Sequence, residues 1–417
     1  MVYGVIPCLF TIFDTPMNPP MTARCPMKQH QNTAFTCLFA FCLTAVLSSC
    51  SEAAVTHSQT LSSEPASTVV IGALFPLTGG LSQYGEAAEH AARIAVDEIN
   101  ADGGIRGSML EVDIQDHQCN PKTAATIFEQ LSSAKGITIF TSAACSGTVL
   151  AIAPLLESHH AMLLGTIVTT PKISGVSPFV FRNWASDGKQ ADLYAQEIKR
   201  RGYRTVGIIY EQTDYAQGLF ISIQRLLNGT GIIIHGEGFE PGATDVRTLL
   251  AKLQQEQPEA LFISPQTVTT GDIVLKQMRE LGFRPQGLLV NDNILKSKDL
   301  LLRYPDMLEG AISGDYVMEH SPRFSLLLET YKKRFGTDCP QPNICAGVYD
   351  AIHLLALALR ESGQDANLVS TYLKDMYLKE APYSGASGNI SFDGKNDRNN
   401  ADYSLFVIRE GTPITVS

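Results

Sequence analysis

Apolar and polar positions along this chain alternate between two periods. Val69 to Phe75 is a short apolar run of strand length, rich in β-branched residues. A turn-forming loop follows, Pro76 to Gly85, with glycines at 79, 80 and 85 and one aromatic, Tyr84. Ala88, Ala91, Ala95 and Ile99 then recur at helical spacing until Gly103-Gly104 stop the pattern. The alternation continues with strand Leu110–Asp116, helix Thr123–Lys135, strand Ile137–Thr141, helix Ser146–His159 and strand Ala161–Thr166. A second series runs helix 188–201, strand 205–210, helix 215–227 and strand 231–239, then helix 246–256, strand 260–264, helix 272–281 and strand 287–291. Cys345 to Arg360 reads as another helix, very apolar on one face, and the tail from Asn389 to Val416 carries strand-like segments.

Such alternation predicts βαβ units and parallel sheets. From Ser67 onward there are about 350 residues, too many for one compact core and right for two. The expected fold class is α/β: two doubly wound parallel-sheet lobes with a hinge and an interlobe cleft, where small ligands commonly sit. The first lobe is expected to hold residues 68–187 and about 316–388, and the second 188–315 and about 389–417.

The segment ahead of the first strand concerns export. Met27-Lys28 begins a basic start, an apolar run spans Ala34 to Leu47, and Leu47-Ser48-Ser49-Cys50 follows. Small residues directly before a cysteine resemble a bacterial lipobox, so residues 27–49 read as a lipoprotein signal peptide and Cys50 as the lipidated N-terminus of the mature chain. Residues 1–26 have no place upstream of such a signal, and translation is expected to start at Met27. Residues 50–67 are small and polar, as in a flexible tether. The protein is thus expected to be exported and held to a bacterial membrane by lipid, facing the periplasm or the exterior.

A net charge of −10 disfavours nucleic acid as a partner. There is no phosphate-binding loop, no H-E-x-x-H and no G-x-S-x-G elbow. The expectation is therefore no enzyme, no cofactor and no metal site. His159-His160, the one adjacent histidine pair, sits at a helix end and reads as solvent-facing. Without the leader and Cys50, four cysteines remain, Cys119, Cys145, Cys339 and Cys345, an even number that in an oxidising compartment suggests two disulfides. Free buried thiols are the rival.

Candidate binding residues lie at strand ends. In Ala144-Cys145-Ser146-Gly147-Thr148 a serine and a glycine open a helix, so free backbone N–H groups and the Ser146 hydroxyl can hold a carboxylate. Ser146 can equally be a plain N-cap. One strand later, Ile167-Val168-Thr169-Thr170-Pro171 again places hydroxyls at a strand end.

The PLTG…YG loop, the helix ending in IN and the GGIRG turn resemble the opening of the leucine/isoleucine/valine-binding proteins, type I periplasmic solute receptors of ABC transporters. The resemblance implies ligand binding by Ser146 and Thr169, by the backbone of Ile167, and by Tyr84 and Tyr215, with Ala216 in place of the usual glycine. It also implies a Cys119–Cys145 bridge; Cys339 and Cys345, closing a small loop with two prolines, form the second expected pair. Where amino-acid receptors carry an acid for the ligand ammonium, this chain aligns Thr270. Either Asp272 or Asp292 substitutes, or the ligand has no amino group. Asp272 reads more simply as an N-cap, whereas Asp292 ends a strand, and Trp184 and Asp187 lie near the lobe crossing. The implied function is a substrate-binding lipoprotein of an ABC importer, working with permease subunits and capturing a branched-chain or other amino acid. A sensory receptor of the same fold is the alternative, as are amides, urea or aromatic carboxylates as ligand.

Overall fold

The computed structural model describes residues 68–416 apart from 320, 380 and 381. The signal peptide, Cys50 and the tether lie outside the described residues. The first sheet contains β1 (Thr68–Phe75), β2 (Met109–Asp116), β3 (Ile139–Ala143), β4 (Met162–Thr166) and β5 (Val180–Arg182). They lie in the order β2-β1-β3-β4-β5, all parallel. Every residue of β3 and β4 is buried, as expected of parallel strands covered on both faces.

One face of this sheet is covered by helices Ser82–Ala101 and Pro342–Ser362, the other by Pro121–Lys135 and Ser146–Ile152. Ala87, Ala88, Ala91 and Ala95 line the buried stripe of Ser82–Ala101, and their small size lets the two helices pack closely. The helix stops at Ala101 because the chain must turn: Gly104 has φ +67°, and a Cβ there would meet the Ser108 carbonyl at 2.0 Å. Pro342–Ser362 is long and apolar enough to cross a membrane, but it is mostly buried in this core. The helix expected over 146–159 gives way at Ala153 to a short 3₁₀ turn, because Pro154 cannot donate to a continuing α-helix.

The second sheet contains β6 (Thr205–Glu211), β7 (Ile233–Phe239), β8 (Ala260–Ser264), β9 (Gly287–Val290) and β10 (Ile312–Tyr316). A small hairpin, β11 (Tyr383–Gly385) and β12 (Gly388–Ile390), precedes β13 (Tyr403–Arg409) and β14 (Thr412–Thr415), which complete that sheet in the order β14-β13-β10-β9-β8-β6-β7. Its first five strands are parallel, and β13 and β14 add antiparallel at the edge.

The final crossing falls later than the expected residue 389. Ile390, Phe392 and Ala401 are buried in the first core, and the chain joins the second sheet only at Tyr403. Side-chain bonds hold this stretch back: Arg398 donates to the carbonyls of Asn183, Ser387 and Asn389, and Asp397 pairs with Arg182. Three segments therefore connect the lobes, around residues 183–187, 315–316 and 401–403.

Candidate functional site

The C-terminal ends of β3 and β4 lie side by side, with Ala143 paired to Thr166 and the Ala144 N–H bonded to the Thr166 carbonyl at 2.9 Å. The backbone there is unusual. Ala144, Cys145 and Ile167 all have φ between 55° and 58°, a region that β-branched residues seldom enter. Such strain persists only where the surroundings over-determine it, and it concentrates at functional sites.

Two restraints hold these loops. A disulfide joins Cys119 to Cys145, and Arg182, fully buried, donates through Nη1 to the carbonyls of Val168, Thr169 and Thr170 at 2.9–3.1 Å. Asp397 in turn binds Arg182 Nε at 2.6 Å and Nη2 at 2.9 Å. Ser146 is not the N-cap. Cys145 occupies that position, and the Ser146 hydroxyl accepts from the Thr170 N–H at 3.2 Å, linking the two strand ends. The YG turn is equally constrained: a Cβ at Gly85 would meet the Pro76 carbonyl at 2.2 Å.

From the second lobe, Thr213 caps the helix Asp214–Leu227 and so presents Tyr215 at its first turn. The Tyr215 phenol donates to Asp292 Oδ1 at 2.8 Å and accepts from Asn291 Nδ2 at 3.1 Å. Tyr84, from the first lobe, donates across to Asn293 Oδ1 at 3.2 Å. With the Lys172–Asp214 ion pair at 2.9 Å, this brings the lobes together on both sides of the cleft.

The cleft has a volume of about 960 Å³. All six residues expected at the site, Tyr84, Ser146, Ile167, Thr169, Tyr215 and Asp292, line it. Thr270 and Asp272 do not. Thr270 faces inward, forming a capping box with Thr267 and donating to the buried Glu211 at 2.7 Å. Asp272 is no cap: the helix Val268–Glu280 starts four residues earlier, and Asp272 binds Arg303 and Tyr304 on its outer side.

Sequence reading set Trp184 and Asp187 near the lobe crossing without giving them a role, and it missed Asp315, Tyr316, Tyr403 and Lys296. Trp184, Asp187, Asp315, Tyr316 and Tyr403 all line the cleft, as do Lys296 and the loop 340–344 closed by the Cys339–Cys345 bridge. Asp187 is 1% exposed; its Oδ1 accepts from the Tyr403 phenol at 3.0 Å, and its Oδ2 has no hydrogen-bond partner among the described residues. Burial pushes its pKa up to about 7, with nearby Asp292 adding to the rise and Thr169, Tyr403 and Arg182 opposing it. Lys296, four residues after Asp292 on one helical turn, lies 3.2 Å from Asp292 Oδ2 and 2.7 Å from Asp315 Oδ1. Desolvation works against its charge, but the two aspartates outweigh it and raise its pKa. The i, i+4 spacing was the available signal for Lys296; Tyr403 had none.

A two-lobed α/β architecture with three crossings and a polar cleft at the strand ends is what a solute receptor requires. A family model described as periplasmic binding protein matches residues 68–413. The chain belongs to the type I periplasmic binding proteins. Its relatives are solute-binding proteins. One similar relative is the leucine-, isoleucine-, valine-, threonine- and alanine-binding protein of Pseudomonas aeruginosa, 22% identical over 346 residues, covering 82% of this chain and 90% of that protein. Among solved structures, a leucine-binding protein from Thermotoga maritima has a TM-score of 0.71 at 22% identity, covering 84% of this chain and 98% of its own. A solute-binding protein of an ABC transporter from R. palustris, in complex with 4-hydroxybenzoate, has a TM-score of 0.70 at 16% identity, with coverage of 84% and 96%.

Proposed function

We propose that this protein is the extracytoplasmic substrate-binding component of an ABC importer and that it captures a small α-amino acid. The observation that carries the ligand class is Asp187: a buried carboxylate in the cleft whose Oδ2 lacks a partner among the described residues, directly beside Thr169. A ligand ammonium is the group that compensates such an oxygen, since a buried charge is stable only when paired. Asp187 thus does the work sought at Thr270, with Asp292 as the second acceptor.

In this reading the ligand carboxylate docks at Ser146, the backbone of Ile167 and the Thr169 hydroxyl on the first lobe. Tyr84 packs over it, and Tyr215 and Asp292 arrive with the second lobe. Ligand selects the closed form, which membrane permease subunits then recognise. Lipidation at Cys50 keeps the receptor near them. Aromatic carboxylates are the second reading, favoured by the 4-hydroxybenzoate held by the R. palustris neighbour.

The test is equilibrium binding to the full-length protein after ligand stripping, read by the fluorescence of Trp184, the one tryptophan. Amino acids should bind, and their 2-oxo analogues should bind at least tenfold more weakly. Equal binding of the two would remove Asp187 from the site and move the ligand class to plain carboxylates.

A further inference from the structure

The amino-acid reading leaves one prominent group unused. Lys296 places its ammonium between two aspartates, 2.7 Å from Asp315 Oδ1 and 3.2 Å from Asp292 Oδ2, and its side chain is 38% exposed where the cleft opens. An ammonium has three N–H groups, and the aspartates take two of them. Beside it, Tyr84 reaches across the cleft to Asn293.

The cleft lining as a whole is mixed, with Tyr316, Phe324, Leu328 and Ile344 among its apolar members. Near the Lys296 turn it is polar: Asn293 donates to the Gln266 carbonyl at 3.1 Å, and Gln266, Thr267 and Thr269 line the cleft with Val268. An aliphatic ligand side chain pressed here would strip water from an ion triad and return no hydrogen bond. The charges decide further. A ligand carboxylate placed at Lys296 would meet the flanking Asp292 and Asp315 carboxylates, and a cationic side chain placed there would meet the Lys296 ammonium itself. A group that both accepts and donates fits: its oxygen takes the third Lys296 N–H, and its own N–H groups go to an aspartate oxygen.

We infer that the ligand is an α-amino acid with an uncharged carboxamide-class side chain, and that Lys296 is the residue that selects it against aliphatic side chains. This rests on the amino-acid reading above. The specificity arises as much from the penalty against aliphatic groups as from attraction to the amide.

The experiment is calorimetric titration of the full-length, ligand-stripped protein with L-glutamine, L-asparagine, L-glutamate, L-lysine and L-leucine. An amide-bearing amino acid should bind at least tenfold more tightly than the other three. Lys296→Met should shrink that preference at least tenfold and improve leucine binding. If leucine, glutamate or lysine binds more tightly than both amides, the inference is overturned while the amino-acid reading stands. An unchanged order in Lys296→Met overturns the assignment to Lys296. If none of the five nor any other amino acid binds, both readings fall together. The wild-type titrations decide the ligand class even if the variant does not fold.

Discussion

The phenol of Tyr403 donates to Asp187 Oδ1 at 3.0 Å, tying the last interlobe crossing to the first inside the cleft. These residues are separated by 216 positions in the chain. Asp187 is thereby positioned from both sides, by Tyr403 through its side chain and by its backbone N–H bonded to the Thr169 carbonyl at 2.8 Å. A group on the hinge that also faces the ligand is well placed to couple binding to closure.

Asp187 makes stability depend on pH. Its folded pKa of about 7 lies above the ordinary 3.8, so between those values the folded protein holds a proton that the unfolded chain has lost. Stability from this group is therefore fully present below about pH 4 and falls as pH rises through about 7. Asp187→Asn should raise the melting temperature of ligand-free protein at pH 8, by at most about 4 kcal/mol in stability, with the gap closing by pH 4. Calorimetry at both pH values checks this, and equal gaps would contradict it.

The same group should shape affinity. Ionised Asp187 pairs with a ligand ammonium, so wild-type affinity should climb by up to about tenfold per pH unit on approaching pH 7 and level off above it. Asp187→Asn should bind amino acids far more weakly and show a flat profile. A flat wild-type profile would place the ammonium elsewhere.

Ser146→Ala removes the hydroxyl that accepts from the Thr170 N–H and faces the cleft. Ligand affinity should fall by about 1–3 kcal/mol, the cost of an unmade hydrogen bond to a charged group. Unchanged affinity with a lowered melting temperature would reduce Ser146 to a tie between two loops.

The Cys119–Cys145 bridge closes a segment of 26 residues and pins the left-handed turn before Ser146. Replacing both cysteines by serine should cost about 3 kcal/mol of stability. Denaturant titration of the double variant against wild type, with reductant as a control, measures it. Affinity should fall as well, because the strained turn loses a restraint.

Arg182 has no exposed side-chain surface and pairs with Asp397. Asp397→Ala would leave a buried guanidinium without its counter-ion, which should destabilise the fold by about 3–5 kcal/mol. Thermal melts check the loss. Ligand should recover part of it, since the loop Val168–Thr170 that Arg182 holds belongs to the site.

Much of this molecule was legible along the chain. Parallel strands joined by helices follow from the alternation of apolar runs with helical stripes, and strand ends in such sheets carry the ligand loops. That reading, with the family resemblance for Ile167, set Ser146, Ile167 and Thr169 at strand ends, and all three line the cleft. Thr270 misled because alignment by position ignores direction: one helical turn suffices to point a side chain at Glu211 instead of the cleft.

By itself, the sequence determined the two-lobed class, the cysteine count and the loops that end β3 and β4, because each depends on local period or local turn chemistry. Only the tertiary structure decided that Asp187, Lys296, Asp315 and Tyr403 share one cleft. Those residues come from crossings and helix ends far apart in the chain. Their mutual charges, and the pKa that burial imposes on Asp187, exist only once the two lobes have closed around the same space.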